Sequence, residues 1–444
     1  MTLSRLFVMA LGLTVLGSCT GQHASGSLAT PVADSLGDDG SQTQPRDGPI
    51  GSGWQRPLEH LSLSLNLSTR RGVARWRVGP DQGVSSSSWE VSGLSDVSVS
   101  SHPFELRSDG LHVALPPQKA EVVIEFSFET VAGLEGLMSS GGWVTWPTYC
   151  ANVFPCRTDP SIGVTWELEM QGLSKGQAYP KPSGSQHPTP IYAIGTVTGK
   201  LAFRSLGKTP QGLEVGIWHQ PEALEATASA LKDLVKAVSW LEATLGPYPL
   251  GDRVTAVAAP WPIIAYGGLE MHPNYHVNTF AMGDMLVHIH EMVHGWFGIG
   301  VRLACWEDLV LSEGVADYLL VRTRAHLYGD EVMKPMFDAM RQSVVAKVGT
   351  TKDVVVLQPG CGQIDVSTIS GKITYHKGAL LLQAIAQEIG YDALDTILGD
   401  FAQSYMNKAA RFEDLMDQVQ ASSDFNPEPL VSAWLRAPGL PGAP

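Results

Sequence analysis

Alternation of apolar and polar side chains begins soon after Pro57. Leu61, Leu63, Leu65 and Leu67 are separated by single polar residues, as are Ile124, Phe126 and Phe128, and then Val164, Trp166, Leu168 and Met170. A period of two marks strands with one buried face. Several such strands joined by Gly, Ser and Pro turns predict a β-sandwich over 57–218. The period then lengthens. ALEATASALKDLVKAVSWLEATLG (223–246) has helical spacing and ends in Gly before Pro247, a helix with its stop signal. RVTAVAAP (253–260) reads as a strand, and most of the remaining chain is helical in period. Residues 219–437 therefore form a second, mainly helical domain, with 438–444 as a tail, and the whole is a multidomain α+β protein. No internal repeat is evident.

The first residues fit neither pattern. MTLSRLFVMALGLTVLGSCTG has one basic residue, Arg5, an apolar run from Leu6 to Leu16, and small residues before Cys19. The run is too short to span a membrane and reads as a signal peptide over 1–18. LGSC resembles a bacterial lipobox, which implies cleavage before Cys19, lipidation of that residue and a membrane anchor in the cell envelope. An ordinary secretory signal with a chance cysteine is the alternative. Residues 19–56 are then a lipidated linker, rich in Gly, Ser, Asp, Gln and Pro and too poor in large apolar side chains to fold.

A chain of 444 residues with 44% hydrophobic content has ample material for two cores. Its 30 Lys+Arg against 44 Asp+Glu lack the basic surface that counterion-driven nucleic-acid binding needs. Beyond Cys19 the cysteines are Cys150, Cys156, Cys305 and Cys361. In an oxidising compartment they suggest two disulfides. Cys150 with Cys156 and Cys305 with Cys361 is the preferred pairing, since each bond stays within one domain. A zinc–thiolate site competes, without C-x-x-C spacing to support it.

The chemistry concentrates in MLVHIHEMVHGWFGIGV (285–301). His290, Glu291 and His294 form H-E-x-x-H. Four residues of helix turn through about 400°, so the two histidines share a face and can reach one ion, with Glu291 beside them to take a proton from its water. His288, two residues away, reads as packing. A catalytic zinc needs a third protein ligand and an open position. WEDLVLSEGVADYL supplies Glu313, eighteen residues beyond His294, on an apolar segment where a lone carboxylate would be costly. Capping by Ser312, with Glu313 just inside a helix, is the other reading. Asp317, one turn beyond Glu313, either orients a liganding histidine or is an exposed mid-helix Asp. HPNYH (272–276) spaces His272 and His276 by four but contains Pro273 and no glutamate, and reads as loop packing near the cleft.

HEMVHGWFGIGV and CWEDLVLSEGVADYL together resemble the zinc aminopeptidases of the aminopeptidase N and leukotriene hydrolase type. They match at His290, Glu291, His294, Trp296, Phe297, Gly298, Leu311, Glu313, Gly314 and Ala316. YGGLEMHP (266–273) resembles that family's G-A-M-E-N motif. The resemblance implies that Glu270 holds a substrate's free α-amine, with Gly267 and Gly268 in the substrate-binding strand. ITYHKGALLL (373–382) resembles Y-x-K-G, which implies that Tyr375 hydrogen-bonds the developing oxyanion. Looser likenesses, NVFPCRTDPSIGVTWELEM, LGPYPLGDRVTAVA and AWLRAPGLP, extend the match over roughly 140–440.

The resemblance implies a β-sandwich followed by a thermolysin-like helical domain. It also implies one Zn2+ held by His290, His294 and Glu313, and hydrolysis of peptide substrates with Glu291 as base. Gly295, Ile299 and Met271 depart from the family pattern, position 269 is Leu, and WVTWPTYC (143–150) has no counterpart of its T-Q-x-E element. An aminopeptidase is thus the first expectation. An endopeptidase, a hydrolase of another substrate, and a catalytically silent peptide-binding lipoprotein are the alternatives.

Overall fold

The computed structural model describes residues 56–441, except 82, 182, 263–265, 351–354, 358, 359, 363–365 and 370. The expected leader (1–18), Cys19, the linker up to residue 55 and the last three residues of the tail lie outside the described residues. Among the described residues no helix is long and apolar enough to cross a membrane.

Leu61, Leu63 and Leu65 line the buried face of β1 (Leu58–Asn66), as their spacing requires. Its neighbours are β2 (Arg71–Val78), β4 (Leu94–Val99), β7 (Ala120–Phe128), β10 (Gly163–Gln171) and β11 (Gly184–Pro190). They form a six-stranded sheet in the order β11-β10-β1-β2-β7-β4, with only β1 and β10 parallel. Three short strands, β3 (Ser86–Trp89), β5 (Phe104–Arg107) and β6 (Gly110–Ala114), make the opposing sheet. Trp76 and Trp166 from the first sheet and Trp89, Leu111 and Val113 from the second bury into one core. A fully buried large apolar side chain contributes about 1.5–3 kcal/mol, so this shared core holds the sandwich together. Arg157 lies over the Trp89 ring, with its guanidinium spread over the Ser88 and Arg56 carbonyls and the Ser87 hydroxyl.

A two-stranded ribbon, β8 (Gly136–Leu137) and β9 (Trp143–Val144), leads towards the second half. There β12 (Ala202–Lys208), β13 (Glu214–His219), β14 (Arg253–Ala259), β15 (Gly268–Leu269) and β16 (Asn274–Asn278) form a mixed sheet in the order β12-β13-β14-β16-β15. The expected boundary at 218 cuts across this sheet. Ala202 pairs with His219, and Val215 with Val254, so 202–218 hydrogen-bond with the second half instead of the sandwich. Alternation alone says that a strand exists, not which sheet receives it. The segment 223–246 is also two helices, α1 (Leu224–Ala230) and α2 (Leu234–Leu245), broken where Leu231 closes onto Thr227 and the Asp233 carboxylate accepts from Lys236. His276 lies on β16, not in a loop.

The remaining helices are α3 (Met285–Val293), α4 (Leu309–Tyr328), α5 (Met333–Val345), α6 (Val366–Ile369), α7 (Lys372–Ile389), α8 (Tyr391–Ser404), α9 (Phe412–Ser423) and α10 (Glu428–Trp434). A short parallel pair, β17 (Arg302–Leu303) and β18 (Ala409–Ala410), ties the turn after α3 to the segment before α9. Helix α4 is the axis of this half: from Leu309 to Val321 every residue is buried. Both disulfides form as preferred, Cys150–Cys156 in the sandwich and Cys305–Cys361 beside α4, so these sulfurs are committed to each other and not to a metal.

Candidate active site

Asp284 starts α3 by accepting the Leu286 amide, and the helix then carries His290 and Glu291 to its end, with His294 as the capping residue. One turn apart, the two imidazoles bring their Nε2 atoms to 3.2 Å. Glu313 of α4 completes the group, its Oε2 lying 3.2 Å from His290 Nε2 and 3.5 Å from His294 Nε2. A tetrahedral zinc with arms of about 2.0–2.1 Å requires ligand atoms roughly 3.3 Å apart, and this triangle meets that requirement.

The far side of each ring is also held. His290 Nδ1 donates to Asp317 Oδ1 at 2.9 Å. His294 Nδ1 lies 3.0 Å from both the Phe297 carbonyl and the Ser312 hydroxyl, and that hydroxyl donates to Phe297 O at 3.3 Å. Protons on Nδ1 leave both Nε2 lone pairs free for an ion. Gly298, at φ +113°, makes the turn possible: a Cβ there would stand 2.5 Å from Ser312 Oγ. Ser312 is therefore no helix cap. α4 begins earlier, at Leu309 after Asp308, and the Ser312 side chain serves His294 instead.

The electrostatics also call for a cation. Burial works against charge on His290 and His294, yet Asp317 and Glu313 hold the first, and Glu313 the second, above the ordinary imidazole value. Burial likewise opposes the Glu313 charge, but the two histidines hold its carboxyl low. A divalent ion would take the place of those protons with less crowding.

Glu291 and Glu270 lie on the other side of His294, and the ligand-type atoms of the three residues fall within 4.8 Å of one another. Burial pushes Glu291 up to about 8 and Glu270 up to about 7. Glu291 Oε2 is buried without a hydrogen-bond partner among the described residues. Strand β15 passes so close that a Cβ on Gly268 would meet Glu291 Oε1 at 2.5 Å, whereas one on Gly267 would touch Val287 at an ordinary 3.4 Å. Glu270 follows this strand. The next residues anchor to the first half of the chain: His272 donates its amide to Ala193 O and its Nε2 reaches Ser185 Oγ at 2.9 Å.

Tyr375 comes from α7, its ring parallel to that of His290 with centroids 5.7 Å apart. Burial, with Glu313 and Glu270 adding to it, raises the phenol well above its ordinary value, so it stays a donor. His288 points away from this group, bonded to Tyr275 Oη and the Met282 carbonyl. The structure thus gathers His290, Glu291, His294, Glu313, Asp317, Glu270 and Tyr375 into one place. Sequence reasoning missed Ser312, the Phe297 carbonyl and His376. A backbone carbonyl leaves no signal in a sequence, and Ser312 was legible only as a cap.

Residues 269–434 match the peptidase family M1 domain. Leukotriene A-4 hydrolase of Xenopus laevis is 26% identical over 327 residues, covering 66% of this chain and 52% of that protein. Aminopeptidase N of Lactobacillus helveticus is 22% identical over 321 residues, covering 66% of this chain and 38% of that protein. The chain thus spans about half the length, or less, of these curated relatives. Among solved structures, a variant of the M1 zinc metallopeptidase of Deinococcus radiodurans bound to a Tyr-Ser-Ala substrate superposes with a TM-score of 0.75 at 18% identity, covering 89% of this chain and all of that one. Yeast leukotriene A-4 hydrolase gives 0.72 at 17% identity, with 87% and 69% covered. The fold is that of the two-domain M1 zinc peptidases.

Proposed function

We propose that this chain, whose residues 269–434 carry a peptidase family M1 domain, is a zinc-dependent metallopeptidase that removes residues from the free N-termini of peptides. The observation that carries the reading is the convergence of His290, His294 and Glu313 at ligand spacing, with an unpartnered Glu291 oxygen beside them.

His290, His294 and Glu313 would hold the zinc, which when bound would supply Lewis-acid chemistry, polarising a carbonyl and lowering the pKa of water. The chain's own groups do the rest. Glu291, raised towards neutrality by burial, accepts the water's proton and passes it to the leaving amine. The Tyr375 hydroxyl donates to the oxygen on which negative charge develops. Glu270 receives the substrate's α-ammonium, which sets the first peptide bond over the metal site. Asp317, Ser312 and the Phe297 carbonyl hold the imidazoles in the tautomer this chemistry needs.

The test compares a free and an N-acetylated fluorogenic peptide, using metal-analysed wild type and Glu291→Gln. One zinc per chain, cleavage of the free peptide only, and loss of that cleavage in the variant are expected. Cleavage of both peptides by wild type would move the assignment to an endopeptidase and remove Glu270 from its role. Localisation belongs to the same proposal: the LGSC leader and two disulfides support an envelope protein anchored through lipid on Cys19. Cys19→Ser should then move the protein from the membrane to the soluble fraction; continued membrane association would argue against the anchor.

A further inference from the structure

His376 follows Tyr375 on α7, and the proposed chemistry does not use it. Its Nε2 faces Asp317 Oδ2 at 3.8 Å, while the other oxygen of that carboxylate takes the His290 Nδ1–H at 2.9 Å. Asp317 is 7% exposed. A second contact at Oδ2 would oppose rotation of the carboxylate, which would carry Oδ1 away from His290. The His376 Nδ1 is buried and has no hydrogen-bond partner among the described residues. Burial keeps the ring below its ordinary value despite Asp317, so it carries one proton. Placed on Nδ1 that proton would be stranded; placed on Nε2 it points at Asp317.

We infer that His376 is a positioning residue for the metal site: its Nε2–H fixes the Asp317 carboxylate, which in turn fixes the His290 ring, in a chain His376–Asp317–His290 linking α7 to α4 and α3. The inference rests on the metallopeptidase reading and extends it, because one helix then carries both the oxyanion donor and the outermost support of a ligand. At 3.8 Å the two atoms are within ion-pair range of each other but beyond a formed hydrogen bond.

The experiment is a double-mutant cycle read by chelator-driven zinc release, with kcat and KM alongside. His376→Leu should speed release about tenfold, the lower end of the effect of losing a partner behind a metal-bound imidazole. It should leave KM unchanged. His376→Gln, whose amide N–H lies near the position of the imidazole Nε2, should restore slow release. In an Asp317→Ala background, His376→Leu should add nothing further. Equal factors in both backgrounds, a Gln variant as fast as Leu, or unchanged release with a raised KM would each overturn the assignment. His376→Asn, too short to reach Asp317, replaces the Leu variant if that chain does not fold. Wild type without tightly held zinc would overturn the metallopeptidase reading itself, whereas tight zinc with unaltered release in His376→Leu overturns this inference alone.

Discussion

Gly314 of α4 and Gly378 of α7 meet backbone to backbone: a Cβ on Gly378 would stand 2.6 Å from Gly314 Cα, and one on Gly314 would stand 2.8 Å from Gly378 Cα. Glu313 precedes the first glycine, and Tyr375 lies one helical turn before the second. The contact therefore sets how far Tyr375 stands from Glu313. Gly378→Ala inserts a methyl group where no flexible side chain can give way, and overpacking of this kind costs about 1–3 kcal/mol. Melting temperature should fall, zinc stoichiometry should hold because all three ligands are on α3 and α4, and kcat should drop roughly 10–100-fold as Tyr375 moves back. An alanine variant with wild-type kcat would remove the glycine pair from any positioning role.

How far this site could be read from the sequence depended on what carries each feature. His290, Glu291, His294 and Glu313 were legible because helical geometry turns spacing into proximity, and the apolar run around Glu313 makes an uncompensated carboxylate implausible. The alternation at Leu61, Ile124 and Val164 gave the sandwich for the same reason, a period imposed by one buried face. What failed was long-range pairing. Nothing in 202–219 announces that β13 lies parallel to β14, and the break in the helix at 231–233 is a local adjustment that helical period does not encode. His376 was invisible because its meaning lies in Asp317, 59 positions away and brought near by the α4–α7 crossing.

Cys305 and Cys361 are 56 residues apart and close a loop that returns to the start of α4, close to Glu313. By the chain-entropy relation, closing a loop of that length in the unfolded chain corresponds to about 4 kcal/mol of stability. Replacing both cysteines with Ala should lower the denaturant midpoint accordingly, and the Cys150/Cys156 pair, closing a much shorter loop, should matter less. Unchanged midpoints under oxidising conditions would mean that the loop between Cys305 and Cys361 is held by its packing, with the covalent bond superfluous.

Burial pushes His272 and His276 down to about 3 and His288 to about 4, so all three are neutral in the folded protein. Unfolded, each binds a proton below about pH 6.5, and the unfolded state then takes up more protons than the native one. Stability attributable to these groups is fully present above that pH and is lost as pH falls, by about 2 kcal/mol for each strongly shifted histidine at pH 5. Ligand protonation at the metal site adds to acid sensitivity, so the useful quantity is a difference between proteins. His272→Gln keeps an N–H for Ser185 Oγ and removes the titrating ring. Denaturant unfolding at about pH 7.5 and pH 5 should show a smaller acid loss in this variant, by about one histidine's contribution. Equal losses in variant and wild type would mean that His272 takes up its proton within the folded state, against the burial the structure gives it.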